Sequence, residues 1–453
     1  MEPYGNDHLF HDSTLAFSSD VEKWLRDQGS SEGDLSQRRD VFRTRLATKR
    51  CVVVAGYEAC RDALEEKEFV ASQAYNELLS GVMGETTLLT MEEDGELLKA
   101  TKMLLHGTIL KSMDHIVFTS LIPKLEERLD KLSGKPVNLY EVVRDCIADS
   151  IVSEVIGPHH IDERQQLDLL LKDHFRAASR PPVKLKLGKI WMSAFQRGIE
   201  ARDKLLAKFE AVVKNFEPSE GESCSADCSS LLCAIFTENN NWKMDNKTAL
   251  STKHLAGILL VLSNTIIPKT VATLVASTCA SITLDISLFE KAHNEAKSCQ
   301  VDIKSCAGMQ ENCSETIRLC TKETLRLWPA LIAAPRKCNN DVIFRGYKIP
   351  KGRYVIIMLL AGNRDPASYG PSANEFSVKR WKVTPPPPEP LSFGGGPRSC
   401  SGRDLAEKIS VAVICKLLQK YSSWQLKKGS NPLDYKWFPV SAHREPVKFV
   451  FTP

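Results

Sequence analysis

A glycine-rich run that contains a cysteine constrains this chain more than any other feature of its sequence. Residues 393–402 read FGGGPRSCSG, with four glycines, one arginine and Cys400 within ten positions. Glycine permits backbone conformations with positive φ and the close approach of a flat ligand. A thiolate held on such a loop suits the axial position of a haem iron, and Arg398 can reach a haem propionate as a charge-assisted donor. The run therefore makes Cys400 a candidate metal ligand.

A second motif lies upstream, in the stretch 322–329, which reads KETLRLWP. Glu323 and Arg326 are three residues apart, so on a helix they share one face and can pair. The same spacing recurs in Glu315 and Arg318, and spacing alone therefore selects neither pair. The LRLWP sequence around the second arginine, whose proline ends the helix, favours Glu323 and Arg326.

Both motifs resemble those of the cytochrome P-450 superfamily of haem-thiolate monooxygenases. The family's pattern F-x-x-G-x-R-x-C-x-G matches here at every fixed position, which are Phe393, Gly396, Arg398, Cys400 and Gly402. The resemblance implies a mainly α fold with small β-sheets, in which haem b lies between a long central helix and the helix of the Cys loop. It also implies that Phe393 and Arg398 contact the cofactor. Because no linker is evident, residues 1–453 are expected to form a single catalytic domain.

In this family the Glu and Arg of the upstream motif join a later arginine in a buried structural triad. The segment FSVKRW at 376–381 resembles the family's F-x-P-x-R-[FW], with Val378 where proline is usual. Arg380 is therefore the expected partner of Glu323 and Arg326. Buried charges persist only when they are paired and hydrogen-bonded, so the three are expected to hold the fold. Arg336, just beyond the helix, matches a position that usually binds a propionate.

The resemblance extends over most of the chain. Residues 41–46 and 51–54 read as two short strands, followed by a helix that begins at Tyr57. Residues 342–352 alternate and turn like a hairpin, and the sequence AGNRDP at 361–366 resembles the family's N-R-D-P turn. These segments extend the predicted fold to both sides of the upstream motif.

One departure from the family concerns a propionate contact. The family commonly carries W-x-x-x-R or H-x-x-x-R, and the best match here puts Leu98 at the aromatic position and Lys102 at the basic one. Lys102 can neutralise a propionate as a point charge, without the bidentate fork of arginine. His106, one turn further on, is an alternative, as is an ordinary solvated lysine.

The second departure is in the helix expected to cross the haem. Residues 255–277 are apolar enough for a long buried helix, with Pro268 in the middle. The family has [AG]-G-x-[DE]-T-[ST] there, whose acid and alcohol guide protons to bound oxygen. No acidic residue occurs between His254 and Asp285. Pro268 removes one backbone hydrogen bond and is expected to kink the helix, which can open an oxygen groove.

Two registers of this helix remain open. One puts Lys269 and Thr270 at the acid and alcohol positions. The other puts Asn264 at the alcohol position, as in the sterol 7α-hydroxylase and prostacyclin synthase branches. In either register the usual proton relay is altered, and a substrate hydroxyl or a water would have to replace it. Thr270 is slightly favoured.

Composition restricts the partners and the compartment. The net charge of +4 is too small to favour binding to nucleic acid. Fourteen cysteines without framework spacing, in a chain without a signal peptide, predict a reducing compartment and free thiols.

No stretch of about twenty apolar residues opens the chain, so the expectation is a soluble enzyme or one that lacks its anchor. The basic and apolar run 181–192 favours contact with a membrane surface, for the family typically the cytosolic face of the endoplasmic reticulum; a solvated loop is the alternative.

The predicted activity is insertion of one oxygen atom from O2 into a lipophilic small molecule of the sterol, terpenoid, retinoid or fatty acid class. Electrons are expected from a separate NADPH-dependent reductase or a ferredoxin, because the sequence shows no flavin or nicotinamide site. The altered relay keeps a second hypothesis open, a reductase-independent isomerase, dehydratase or peroxygenase acting on a hydroperoxide or endoperoxide. A third is a non-catalytic haem- or lipid-binding protein.

Overall fold

A computed structural model gives the structure of the chain. The residues that it describes are 4–5, 17, 21–29, 40–46, 49–84, 90–92, 95–132, 134–156, 161–177, 186–187, 191–216, 231–244, 249–265, 267–299, 314–436 and 440–452.

Helices account for most of the described residues, as the sequence predicts. The α-helices are α1 (Val21–Gly29), α2 (Tyr57–Glu65), α3 (Ala71–Met83), α4 (Glu96–Leu104), α5 (Leu110–Ile116), α6 (Ile122–Asp130), α7 (Leu139–Ile156), α8 (Ile161–Ala177), α9 (Ala194–Phe216), α10 (Leu231–Met244), α11 (Thr252–Leu260), α12 (Ile267–Thr283), α13 (Ile286–Ser298), α14 (Glu315–Leu327), α15 (Leu359–Asn363), α16 (Pro366–Tyr369) and α17 (Arg403–Lys420). Segments of π-helix span Leu105–Ile109, Val117–Leu121 and Val261–Thr265, and 3-10 turns span Val378–Lys382, Leu391–Phe393 and Gly396–Arg398.

The strands are short and form small sheets. They are β1 (Tyr4–Gly5), β2 (Val41–Leu46), β3 (Lys49–Val54), β4 (Phe69–Val70), β5 (Val137–Asn138), β6 (Lys186–Leu187), β7 (Trp191–Met192), β8 (Ala334–Cys338), β9 (Val342–Phe344), β10 (Tyr347–Ile349), β11 (Tyr354–Ile357), β12 (Ser423–Leu426), β13 (Tyr435–Lys436), β14 (Ala442–His443) and β15 (Lys448–Thr452). The largest sheet has the order β1-β2-β3-β11-β8-β4, and a three-stranded sheet has the order β12-β15-β5. The predicted strands near 41–54, the helix that begins at Tyr57 and the hairpin after 342 are confirmed.

The chain divides into two compact units, each built from several stretches of sequence. Unit 1 comprises Met1–Glu77, Leu319–Cys400 and Asn431–Glu445. Unit 2 comprises Leu78–Arg318, Ser401–Ser430 and Pro446–Pro453. The single catalytic domain expected over residues 1–453 stays a prediction.

Unit 1 is organised by the six-stranded sheet, which has an apolar layer on each face. Successive side chains of a strand point to opposite faces. Accordingly Val52 and Val54 pack into one buried cluster together with Val355, whereas Val53 packs into the other with Met358. Parallel pairing of β11 with β3 and antiparallel pairing of β11 with β8 fix the register of the strand that carries Arg336.

Unit 2 is organised by a long apolar helix, as the sequence predicts for residues 255–277. Helices α11 and α12 form it, and α12 packs against α7 and α17. By length and composition the stretch Thr252–Thr283 could cross a membrane, but 80% of its apolar window is buried within the protein. A π-helical segment, Val261–Thr265, ends shortly before Pro268, where the sequence predicts a kink; the kink itself stays a prediction. Such segments occur often at functional sites.

The cysteines correct one expectation from the sequence. Cys233 and Cys299 take part in disulfide bonds, so the prediction of free thiols is wrong for these two. Disulfide pairing depends on the distance between cysteines in three dimensions, which their spacing in the sequence does not reveal. Eight other described cysteines are free thiols.

Candidate functional site

The loop before Cys400 is closed by its own backbone. It passes through two short 3-10 turns, Leu391–Phe393 and Gly396–Arg398. The N–H of Cys400 donates to the carbonyl oxygen of Phe393 at 2.8 Å, and the N–H of Gly394 donates to that of Leu391 at 2.8 Å. The ends of the loop are therefore joined, and the cysteine is held at a fixed point of it.

Two glycines of this loop have conformations that other residues rarely adopt. The φ angles are +69° at Gly394 and +61° at Gly396. A Cβ at Gly396 would also lie 2.4 Å from the carbonyl oxygen of Leu64 on α2. Glycine is required at position 396 for two reasons: other residues rarely adopt this backbone angle, and a side chain would clash with α2.

Cys400 differs from the other free cysteines in exposure. Of the eight that the structure describes, seven are buried and Cys400 is exposed. Burial raises the pKa of Cys146 to about 11, of Cys338 to about 11 and of Cys415 to about 12, which keeps these thiols protonated. An accessible sulfur on a closed loop fits a haem-thiolate ligand, and Phe393 and Arg398 lie half-buried on the same loop.

The charged pair of α14 is wholly buried in unit 1. The side chains of Glu323 and Arg326 are 0% exposed, and they form two hydrogen bonds, 2.9 Å from Nε to Oε2 and 2.7 Å from Nη2 to Oε1. Arg326 also donates to the carbonyl oxygens of Asn363 at 2.9 Å and Glu375 at 3.1 Å. Each charge is therefore paired and hydrogen-bonded, as a buried ion pair requires.

Arg380 completes the expected set of three. Its Nε lies 3.4 Å from Oε1 of Glu323, and its Nη2 donates to the carbonyl oxygen of Ser372 at 2.7 Å. Sequence reasoning missed a fourth member, Trp381, whose Nε1 donates to Oε2 of Glu323 at 3.0 Å. The F-x-P-x-R-[FW] pattern already contained the signal, because it requires an aromatic residue after the arginine.

The competing pair of the same spacing has a different environment. Glu315 and Arg318 lie on the same helix, α14, and both are exposed. Burial therefore separates the two E-x-x-R matches, which spacing could not do.

Arg336 is also buried in unit 1, at 4% exposure. Ala334, Arg336 and Cys338 lie two residues apart along β8, so their side chains share one face of the strand, which is the buried face. Its Nη1 donates to the carbonyl oxygen of Pro335 at 3.0 Å.

The other residues predicted to contact a haem propionate or a membrane surface lie in unit 2. Lys102 is half-buried on α4, with Leu98 buried one turn before it, and His106 is exposed in the π segment that follows. Of the run 181–192, only β6 and β7 are described; they pair antiparallel, with Lys186 opposite Met192 and Leu187 opposite Trp191. The remainder of that run lies outside the described residues.

The central helix carries the two candidates for the relay alcohol. Thr270 is half-buried on α12, and its hydroxyl points back to the carbonyl oxygen of Ile267 at 3.5 Å. Asn264 lies in the π segment, and its side chain is outside the described part of the structure. Lys269, which one of the two registers puts at the position of the family's acid, is buried at 2% exposure.

Comparison with known proteins matches this chain over nearly its full length. The family described as "Cytochrome P450" matches residues 32–451. Cytochrome P450 734A1 of Arabidopsis thaliana is 23% identical over 394 residues, which cover 82% of this chain and 72% of that protein. Cytochrome P450 26A1 of Xenopus laevis is 25% identical over 433 residues, covering 91% of this chain and 84% of that protein.

Solved structures show the same fold. Cyanobacterial CYP120A1 with retinoic acid bound superposes with a TM-score of 0.79 at 21% identity, covering 99% of this chain and 98% of that one. The haem domain of cytochrome P450DA superposes with a TM-score of 0.77 at 15% identity, covering 99% of this chain and 96% of that one. At these identities the likeness concerns the fold alone.

Proposed function

Because the chain belongs to the cytochrome P450 family, we propose that it inserts one atom of O2 into a lipophilic small molecule, using electrons from a separate reductase. It is thus a haem-dependent monooxygenase, and its cofactor is haem b. The observation that carries the proposal is the exposed Cys400 thiol on a closed loop that matches the family pattern at every fixed position.

The residues that would hold the haem have separate tasks. Cys400 would supply the thiolate ligand of the iron, and the haem would supply the oxygen chemistry that such a ligand favours. Arg398 and Arg336 would supply positive charge for the propionates, and Lys102 would do so as a point charge. Phe393 would contact the cofactor. The network around Glu323 stabilises the fold and takes no part in the chemistry.

Proton delivery falls to the central helix. Thr270 is our first choice for the alcohol of the relay, and Asn264 is the alternative. No acidic residue lies between His254 and Asp285 to accompany either of them. A water or a substrate hydroxyl is therefore part of the proposed path.

The substrate belongs to the sterol, terpenoid, retinoid or fatty acid class. A retinoid merits early testing because the cyanobacterial protein of similar fold contains retinoic acid. The electron donor is an NADPH-dependent reductase or a ferredoxin, since the sequence has no glycine fingerprint for a nucleotide. Spectral screening of these four classes for displacement of the iron-bound water would select the ligand.

The carbon monoxide spectrum of the reduced protein tests the ligand assignment. Wild type should show the long-wavelength band that gives the family its name, and Cys400→Ala should lose the band and all oxygenase turnover. Ser399→Ala, a change at the neighbouring exposed residue, is the matched control and should retain both. A wild-type spectrum typical of histidine-ligated haem would end the proposal.

A second candidate function is conversion of a hydroperoxide or endoperoxide without a reductase. The observation that favours it is the buried Lys269 at the position of the family's acid. Turnover with a fatty acid hydroperoxide in the absence of NADPH, with no turnover in the reconstituted reductase system, would establish it. Haem binding without turnover in either assay would instead identify a haem- or lipid-binding protein.

The enzyme would also contact a membrane surface through residues 181–192. The described parts of this run, β6 and β7, combine Lys186 with Leu187, Trp191 and Met192. Such a composition suits the boundary between headgroups and acyl chains. Flotation with anionic vesicles should recover the protein, and replacing both Trp191 and Met192 by serine should reduce the recovered fraction. Equal recovery of wild type and the double variant would contradict this contact.

A further inference from the structure

A cavity of about 410 Å³ lies within unit 1 and shares Arg380 with the network around Glu323. Small-molecule sites in proteins commonly enclose about 300–1,000 Å³. Three serines, a lysine and an arginine make the polar part of the lining, and a tyrosine, a valine and two prolines make the rest; these are Ser368, Ser372, Ser377, Lys379, Arg380, Tyr369, Val383, Pro385 and Pro387. Among the described residues no acidic side chain belongs to this lining, so a charged ligand that it accepts is an anion.

Several polar side chains of the cavity have unused hydrogen-bond donors. Lys379 is exposed, and its ammonium group makes no ion pair or hydrogen bond within the described part of the chain. The hydroxyl groups of Ser368 and Ser377 make none there either, since both residues bond only through their backbone. The hydroxyl of Ser372 accepts from Nη2 of Arg380 at 3.3 Å, which leaves its own proton available. A ligand with several acceptor oxygens therefore meets one ammonium group and three hydroxyl groups.

The buried network beside the cavity has one positive charge in excess. Arg326 and Arg380 both pair with Glu323, and no other carboxylate of the described residues pairs with either arginine. Their further hydrogen bonds go to carbonyl and hydroxyl oxygens, which carry no full charge. The side chain of Arg380 is 8% exposed and lines the cavity, so the excess charge lies at the cavity wall. Buried charge is costly unless it is compensated, and an anion in the cavity would compensate it.

We propose that this cavity binds the phosphate group of a small phosphate monoester. Such a group carries a charge of about −1.5 to −2 and three strong acceptor oxygens. Its oxygens point in three directions, which suits one ammonium group and several hydroxyl groups better than the two coplanar oxygens of a carboxylate. Val383, Pro385 and Pro387 supply apolar contact for the organic part of the ester. The inference does not depend on the proposed function, because none of the residues that line the cavity is assigned to the haem.

Calorimetry on the haem-loaded full chain tests the site, with phenyl phosphate and inorganic phosphate as probes and with chloride holding the ionic strength constant. Wild type should bind phenyl phosphate at one site per chain, and more tightly than inorganic phosphate, because the ring gains the apolar contact. Lys379→Met should weaken binding of phenyl phosphate by about fivefold, the upper end of what an exposed ion pair contributes. Ser377→Ala removes one hydroxyl, keeps the backbone N–H that donates to Glu323, and should weaken binding by about 2- to 10-fold.

The control is Lys351→Met, which removes an exposed lysine of unit 1 that does not line the cavity and should leave both affinities unchanged. The inference is overturned if wild type binds neither probe, or if Lys379→Met and Ser377→Ala both bind phenyl phosphate as tightly as wild type. Equal affinity of wild type for the two probes would contradict the assignment to an ester. Should Lys379→Met fail to load haem, Ser377→Ala decides, because unchanged affinity in that variant also contradicts the inference.

Discussion

Trp381 donates its indole N–H to the carboxylate of Glu323 across a distance of 3.0 Å, from Nε1 to Oε2. The other carboxylate oxygen of Glu323 accepts from Arg326 and from the backbone N–H of Ser377 at 3.0 Å. Nε of Arg380 also lies 3.4 Å from that oxygen. Glu323 therefore connects α14 to the segment that carries Arg380 and Trp381, and its carboxylate is shared by all four of these donors.

Removing this carboxylate should destabilise unit 1. Loss of one partner from a buried ionic network costs about 3–5 kcal/mol, because the remaining charges stay buried without compensation. Glu323→Ala should therefore yield little haem-loaded protein, measured by the ratio of haem to protein absorbance. Glu315→Ala removes an exposed glutamate of the same motif spacing from the same helix and should load haem normally. Normal haem content with lost turnover in Glu323→Ala would point to a catalytic role instead.

A methyl group at Gly396 should disturb the Cys loop. Alanine at φ +61° costs about 1–2 kcal/mol for the left-handed backbone, and the clash with the carbonyl of Leu64 adds about 1–3 kcal/mol of overpacking. Gly346→Ala isolates the first contribution, because its φ is +81° and no heavy atom from elsewhere in the described residues lies within 4 Å of the added Cβ. Thermal unfolding should show a larger loss of stability for Gly396→Ala than for Gly346→Ala. Equal losses would mean that the loop moves away from α2 without cost.

Substitutions on the central helix should identify the relay alcohol. If Thr270 guides the proton, Thr270→Ala should consume NADPH while product falls and peroxide rises. Assistance by a general acid or base contributes roughly 10²–10⁴ in rate, so the change should be large. If Asn264 occupies that place, Asn264→Ala should show this behaviour and Thr270→Ala should be mild. Unchanged coupling in both variants, together with hydroperoxide conversion without a reductase, would favour the isomerase.

Acid should destabilise unit 2 through His174. His174 is 1% exposed on α8, and this burial lowers its pKa to about 4 in the folded protein, against about 6.5 when unfolded, so the folded state binds the proton less readily. The effect of His174 on the free energy of unfolding is therefore absent above pH 6.5. As the pH falls from 6.5 towards 4, the free energy of unfolding decreases by about 3 kcal/mol in total. Chemical unfolding at pH 7 and pH 4.5 should show this loss in wild type and a smaller one in His174→Gln. Replacing the exposed His115 by glutamine should leave the wild-type difference intact; an equal pH dependence in all three proteins would contradict the assignment.

The sequence predicted best what depends on local motifs. The Cys400 loop and the pairing of Glu323 with Arg326 are encoded by residues within ten positions of one another, and backbone geometry then restricts the arrangements available. The choice between Glu315 and Glu323 needed the flanking LRLWP sequence, and burial now supplies the physical reason for it.

What the sequence left open depends on distant contacts. The register of the central helix could not be fixed, because a helix that is apolar on all sides has no polar face to orient it. His174 contacts the carbonyl oxygen of Val82, 92 positions earlier in the chain, so no periodicity relates the two residues. The disulfide bonds of Cys233 and Cys299 were missed for the same reason, since pairing follows the folded path of the chain.

The burial of seven free thiols has a consequence for how the folded chain withstands oxidation. Oxidants attack accessible thiolates first, whereas buried and protonated thiols react slowly. These seven cysteines, all within the part of the chain that the structure describes, are thus protected by the packing around them. Oxidative modification of any of the seven would require local unfolding first.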